Sequence, residues 1–322
     1  MKNEMVNELI GVMRERIPKG SNLANSLMEI LCMGKEAIYR RLRGEVAFTF
    51  EEVSLISQHL GISLDKIVGR RMLNDTMFDL NLLHTGDPIE SYYEILVRYA
   101  KLFDLLRDDP TASVATASNL IPFTFYSPYE CLSKFRLGRW IYHHGKMKPP
   151  ASLSDLQVPD KVPQMHWKLS ASIRQLSHTS FIWDYNIFRS IVKEIRYFAG
   201  LDLLSAEDVR NMKKELGLLL SELEAVTMTG EFSKGHSLVI YLSDINFEAT
   251  YTYVEKGDFQ ACLFRVYSIN SMDSQNPRMC NIQKNWIQSL KRHSTLISQS
   301  SEIQRRQFFN EQREIVESLQ EA

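Results

Sequence analysis

The sequence predicts a mainly α protein in two parts: a five-helix domain over residues 1–69, then a larger helical α+β domain over 88–322 with a small three-stranded antiparallel sheet. Residues 70–87 read as a linking segment that packs on one part or the other. Three observations lead there. Apolar residues recur at helical spacing in short stretches within roughly the first 70 residues. Longer amphipathic stripes run between residues 89 and 227 and again after 277. Between them, over 238–269, the apolar period falls to two.

Met5, Leu9, Val12 and Met13 form the stripe of a first helix that stops near Pro18. Leu27 and Leu31 point one way on a second helix, and Ile38 and Leu42 do the same on a third. Met33, between them, is placed to plug the angle where the two meet. Lys35, Glu36, Tyr39, Arg40 and Arg43 are left on the outer face of the third helix. Thr49-Phe50-Glu51-Glu52 is a capping box that opens a fourth helix with Val53, Ile56 and Leu60 on one side. Gly61 ends it, and Ser63–Ile67 begins a fifth.

Leu27–Gly44, followed by the Gly61-Ile62-Ser63-Leu64-Asp65 ending, resembles the phage-repressor/Cro-type (lambda repressor-like) helix-turn-helix family. The resemblance covers residues 1–69 only; Met28 and Cys32 stand where that family usually has Ala and Gly. It implies a bacterial-type, one-component transcriptional regulator. The major groove admits a helix of this kind, whose first residues reach base edges while later cations grip phosphates. Lys35, Glu36, Tyr39 and Arg40 are the base-edge candidates: Lys or Arg meets guanine O6/N7, and Glu36 accepts from cytosine N4. Arg41 and Arg43 are placed for the backbone, and Ser21, Asn22 and Asn25 for a phosphate beside the preceding helix start. The plainer alternative for each is a solvated surface residue. One small domain buries little DNA, so the expected partner is double-stranded DNA with a near-palindromic operator, read by a homodimer with half-sites about 34 Å apart.

In the second part, helices are predicted over Ile89–Arg107, Tyr129–His143, 164–180, 184–199 and Ser205–Thr227. The last carries Val209, Met212, Leu216, Leu219, Leu220 and Leu223 as a clean stripe behind a Ser cap. Ser113–Asn119 is small and uncharged, a strand or a buried loop, and Lys146–Pro163 is a proline-rich loop. Leu238–Leu242, Phe247–Val254 and Phe259–Ile269 read as the three antiparallel strands, with turns at Ser243–Asn246 and Glu255–Asp258. Two helices close the chain, near 277–297 and 301–320, the second opening on another capping-box pattern at Ser301. This part is expected to dimerise and is a candidate sensor of a small-molecule effector; a protein-interaction scaffold is the alternative, and an enzyme a remoter one.

Composition narrows the function classes. Net charge is −1, so no global field draws the chain to nucleic acid; residues 1–71 hold 11 Lys+Arg against 9 Asp+Glu. The local cluster at 35–43 therefore matters more than the sum. Cys32, Cys131, Cys262 and Cys280 form no C-x-x-C pair, which argues against a zinc site or a disulfide framework and fits a reducing cytoplasm. His143, His144, His166 and His178 lack metal-ligand spacing. No apolar leader or membrane-length apolar run is present, so no membrane partner is expected. No phosphate loop, dinucleotide fingerprint, nucleophile elbow or zincin motif occurs, so no catalytic residue, metal or cofactor is assigned. The aromatics Tyr241, Phe247, Tyr251, Tyr253, Phe264 and Tyr267 line a ligand pocket or, more simply, a core. The cations and hydroxyls over Lys291–Ser301 with Arg305 and Arg306 have an anion-binding composition; a helix corner capped by serines is the alternative.

Overall fold

The computed structural model describes residues 2–17, 22–62, 64, 78–80, 86–144, 152–266 and 268–320. The chain divides into two compact units, 1–77 and 78–322.

The first unit contains α1 (Lys2–Arg16), α2 (Leu23–Leu31), α3 (Lys35–Leu42) and α4 (Phe50–Leu60). Local chemistry sets their ends. Asn22 caps α2 by accepting the Ala24 N–H at 2.8 Å, and Thr49 and Glu52 form the reciprocal capping box of α4. Gly61 closes α4 in the left-handed region at φ 62°. Leu9, Met13, Ala24, Leu27, Leu31, Ile38, Ile56 and Ile62 bury together as the core, with Met33 packed against them. The expected fifth helix over 63–67 lies outside the described residues apart from Leu64.

The second unit departs from expectation in its sheet. Three antiparallel strands were predicted; the described residues form nine strands in one mixed sheet. These are β1 (Asp79–Leu80), β2 (Ser113–Ser118), β3 (His178–Asp184), β4 (Glu231–Ser233), β5 (His236–Ser243), β6 (Tyr251–Lys256), β7 (Phe259–Val266), β8 (Asn270–Ser274) and β9 (Ser294–Leu296). Their order is β1-β8-β7-β6-β2-β3-β5-β4, with β9 on β5. β5 and β6 are therefore not a hairpin. β3 pairs in parallel with β2 on one side and β5 on the other, and β6 runs antiparallel to β2. The predicted fold class of a mainly α protein with a small sheet thus becomes helices packed on a large mixed sheet. Parallel strands covered on both faces lose the alternating pattern that betrays a half-exposed strand. In β3, Phe181, Ile182, Trp183 and Asp184 are buried in succession, so no period of two can be read there.

The helices are α5 (Pro88–Leu106), the short α6 (Phe123–Tyr126), α7 (Glu130–His144), α8 (Lys161–Arg174), α9 (Ile187–Ala199), α10 (Ala206–Thr229), α11 (Pro277–Arg292) and α12 (Glu302–Glu317). The helix expected over 164–180 ends at Arg174, because 178–184 is strand. The capping box expected at Ser301 is absent: Ser301 sits at φ 48° and its side chain caps nothing. The main core lies on one face of the sheet, where Val114, Phe181, Trp183, Leu238, Ile240 and Val254 meet helix residues such as Phe188, Leu216 and Phe308. The opposite face has its own cluster, in which Ala117, Ile182, Tyr253 and Cys262 are covered by Cys280, Ile287 and Leu290 of α11. Among the described residues no helix is long and apolar enough to cross a membrane.

Candidate nucleic-acid interface

The α2–turn–α3 segment is built from the inside out. Leu27 and Ile38 are fully buried, which fixes one side of each helix and leaves the other to solvent. The turn between them depends on Cys32, which takes the left-handed conformation at φ 52°, ψ 40° and donates its N–H to the Met28 carbonyl. Only then does the chain re-enter helix at Lys35, with Gly34 as the residue before it at φ −70°, ψ 154°.

That geometry sorts the candidate residues. Lys35, Glu36, Arg40 and Arg43 are exposed, and Tyr39 is half-buried and packed against the core. The Lys35 ammonium lies 5.9 Å from the centre of the Tyr39 ring. Arg40 stands 3.5 Å from Glu45, whereas Arg43 is bonded to Glu45 at 2.7 Å and to Glu36 at 3.2 Å. Those contacts raise the Arg43 pKa, Glu45 first and Glu36 second, and Arg43 in turn holds Glu45 below the usual carboxylate range. The face is thus a lattice of opposite charges, and an anionic partner would have to displace Glu36 and Glu45 from the arginines.

Arg41 faces inward instead. Its Nε and Nη2 donate to the two oxygens of Glu52 at 2.9 and 2.7 Å, and its Nη1 to the Ala37 carbonyl at 3.2 Å. Glu52 also accepts the Thr49 N–H at 3.0 Å. The Arg41 hydrogen bonds, with Thr49 behind them, depress Glu52 despite its burial. Arg41 therefore ties α3 to the cap of α4, and its predicted place on the phosphate backbone is not what the geometry provides. The sequence carried a signal for this: Glu52 is the last residue of the capping box, so its carboxylate is held in place. Asn22 and Asn25 are exposed, but Asn22 already directs Oδ1 to its own helix. Ser21 lies outside the described residues.

Of the aromatic candidates, Tyr241 and Tyr253 border a cavity as well as a small core. Tyr241, Phe247, Tyr251, Tyr253 and Phe264 pack under α11; Tyr267 lies outside the described residues. A cavity of about 250 Å³ opens beside this cluster, where Glu255 accepts from Lys284 at 2.6 Å, Tyr253 at 2.8 Å and Ser113 at 3.1 Å. Lys291 borders the same cavity, and burial lowers its pKa. Arg305 donates to the carbonyls of Ile297 and Ser300, and Ser298 accepts the Ile240 N–H, so both are committed to backbone groups. His166 and His178 bond to Tyr92 and Ser237 respectively and do not converge. Among the described residues no group of three or more His, Cys, Asp or Glu is placed to hold a metal ion. Compared with protein-family models, with curated proteins and with solved structures, the chain matches none.

Proposed function

We propose that this chain is a sequence-specific DNA-binding transcriptional regulator of the phage-repressor/Cro-type, acting in the cytoplasm as a homodimer. The observation that carries the reading is a short helix, α3, buried through Ile38 and presenting Lys35, Arg40 and Arg43 outward, with Tyr39 half-exposed beside them, behind a tight turn. In this reading Lys35, Tyr39 and Arg40 approach base edges and Arg43 the backbone. Arg41 supports α3 from behind. The second unit supplies the dimer contact, and the operator is a near-palindrome with half-sites about one helical turn apart.

A second reading is favoured by two observations: the alternating charges of α3, and Phe50, the first residue of α4, at 83% exposure. Those features suit a protein partner rather than DNA.

Selection of bound duplexes by the full-length protein, repeated with Tyr39→Ala/Arg40→Ala at controlled salt, separates the two. An inverted-repeat motif that is lost in the double variant supports the regulator. Loss of one base contact of this kind costs about 1–3 kcal/mol. Absent binding, or binding indifferent to the substitutions, supports the protein-partner reading. One protein per duplex on the best site removes the dimer.

A further inference from the structure

The second unit holds a mostly apolar cavity of about 90 Å³ on the helix-covered face of the sheet, and two arginines border it. Arg136 rises from α7 and is 9% exposed. Its Nη1 donates to the Tyr126 hydroxyl at 2.8 Å and its guanidinium lies 4.3 Å from the centre of the Phe123 ring, but its buried Nε has no partner. Arg265 projects from β7 and makes no side-chain hydrogen bond or ion pair among the described residues. Neither has a carboxylate within ion-pair distance among those residues; Arg139, one turn beyond Arg136, takes Glu194 for itself.

A buried and a half-buried cation facing one cavity without a counter-charge are an unstable arrangement. Taking a charge out of water is costly unless it is paired, and the two guanidiniums repel. Desolvation first, and then Arg136, pull the Arg265 pKa below its ordinary value. The neighbouring His166 offers no relief: burial and then Arg136 push it down to about 3, so it is neutral, and its ring packs against Phe123 of the wall.

The threonines of the strands that border the cavity are already engaged with their neighbours. Thr116 and Thr252 share a hydrogen bond at 3.1 Å across β2 and β6, and Thr250 pairs with Ser118 at 3.1 Å. The charged donors are the guanidinium N–H groups, whose planar fork matches a carboxylate, and the hydroxyls of Tyr99, Thr124 and Ser271 border the same space. The remaining wall is apolar, with Phe103, Leu169, Ile173 and Phe181. Tyr99, Leu102, Leu263 and Ser271 also border a second cavity of about 230 Å³, so an extended molecule has room to continue.

From this we infer that the second unit binds a small organic acid, its carboxylate held between Arg136 and Arg265 and its short apolar tail lying along Leu102 and Leu263. The inference stands apart from the DNA-binding reading, since every residue it uses belongs to the second unit.

The test is calorimetric titration of the full-length protein with the straight-chain acids from acetate to hexanoate, at matched ionic strength, beside hexanamide and inorganic phosphate. Expected are saturable hexanoate binding and at least about tenfold weaker binding of hexanamide. Arg265→Met should lower hexanoate affinity by at least about tenfold while unfolding, without ligand, at a temperature no lower than the wild type. Arg265→Lys should retain part of the affinity, which a failure to fold would not allow. Absence of binding across the acid series, equal binding of hexanamide, tighter binding of phosphate, or unchanged affinity in Arg265→Met would overturn the inference.

Discussion

Cys32 decides whether α2 and α3 can meet at their observed angle. A side chain at φ 52° suffers a Cβ–carbonyl crowding that costs about 1–2 kcal/mol, and glycine escapes it. Glycine also enlarges the unfolded ensemble, which returns about 0.4–1 kcal/mol of that gain. Cys32→Gly should therefore stabilise the first unit by roughly 0.5–1 kcal/mol, read as a rise of a few degrees in its unfolding temperature. An unchanged or lowered temperature would mean that the turn relaxes without the left-handed residue. Glu52 makes a pH-dependent contribution of definite sign. Its folded pKa lies below the ordinary value of 4.5, so its pairing with Arg41 stabilises above that value and fades as pH falls through the depressed one. At pH 7, Glu52→Gln should cost about 2–3 kcal/mol, since it leaves the largely buried Arg41 unpaired. The difference between wild type and variant should shrink as the solution is taken below pH 4.5, which denaturant titrations at successive pH values would record. A difference constant with pH would remove the ion pair from the account.

At the scale of elements, the helices follow from neighbours in sequence and the strands do not. α10 shows this best. Ser205 and Asp208 form its capping box, Val209, Met212, Leu216, Leu219, Leu220 and Leu223 its buried stripe, and Gly230 its left-handed stop at φ 70°. All but the last were legible in the order of residues. What the sequence could not show is that Gly230 also lies under Gln299, whose amide donates to the Thr229 carbonyl. A Cβ at Gly230 would fall 2.5 Å from Gln299 Cδ, so alanine must both accept the strained φ and push that amide away. Gly230→Ala should destabilise the second unit by about 1–2 kcal/mol, visible in its denaturant midpoint. A neutral result would show that Gln299 moves aside freely. The strands fail for the opposite reason. β2 is a run of small residues, Ser113-Val114-Ala115-Thr116-Ala117-Ser118, and is a strand because β3 and β6 flank it. β5 and β6 each have the strand pattern, and their nearness in sequence suggests a hairpin. Two other strands intervene, because β5 joins β3 in a parallel pair whose partner is remote along the chain.

For the molecule as a whole, the two units have separate cores, one around Leu27, Ile38 and Ile56 and the other spread over both faces of the sheet. Units with separate cores unfold separately. Calorimetry should show two transitions, with Arg41→Met shifting only one and Gly230→Ala only the other; a single transition displaced by both variants would contradict this. The division between what was readable and what was not follows the range of the forces. Most helices, the caps at Thr49 and Ser205 and the charged face of α3 could be read from the order of residues, because these rest on spacing and on side chains within four residues of their partners. Tertiary structure alone decided the sheet order, the inward turn of Arg41, and the placing of Arg136 and Arg265 on one cavity. Those depend on contacts between residues far apart in the chain, where burial, and not local propensity, selects the partner.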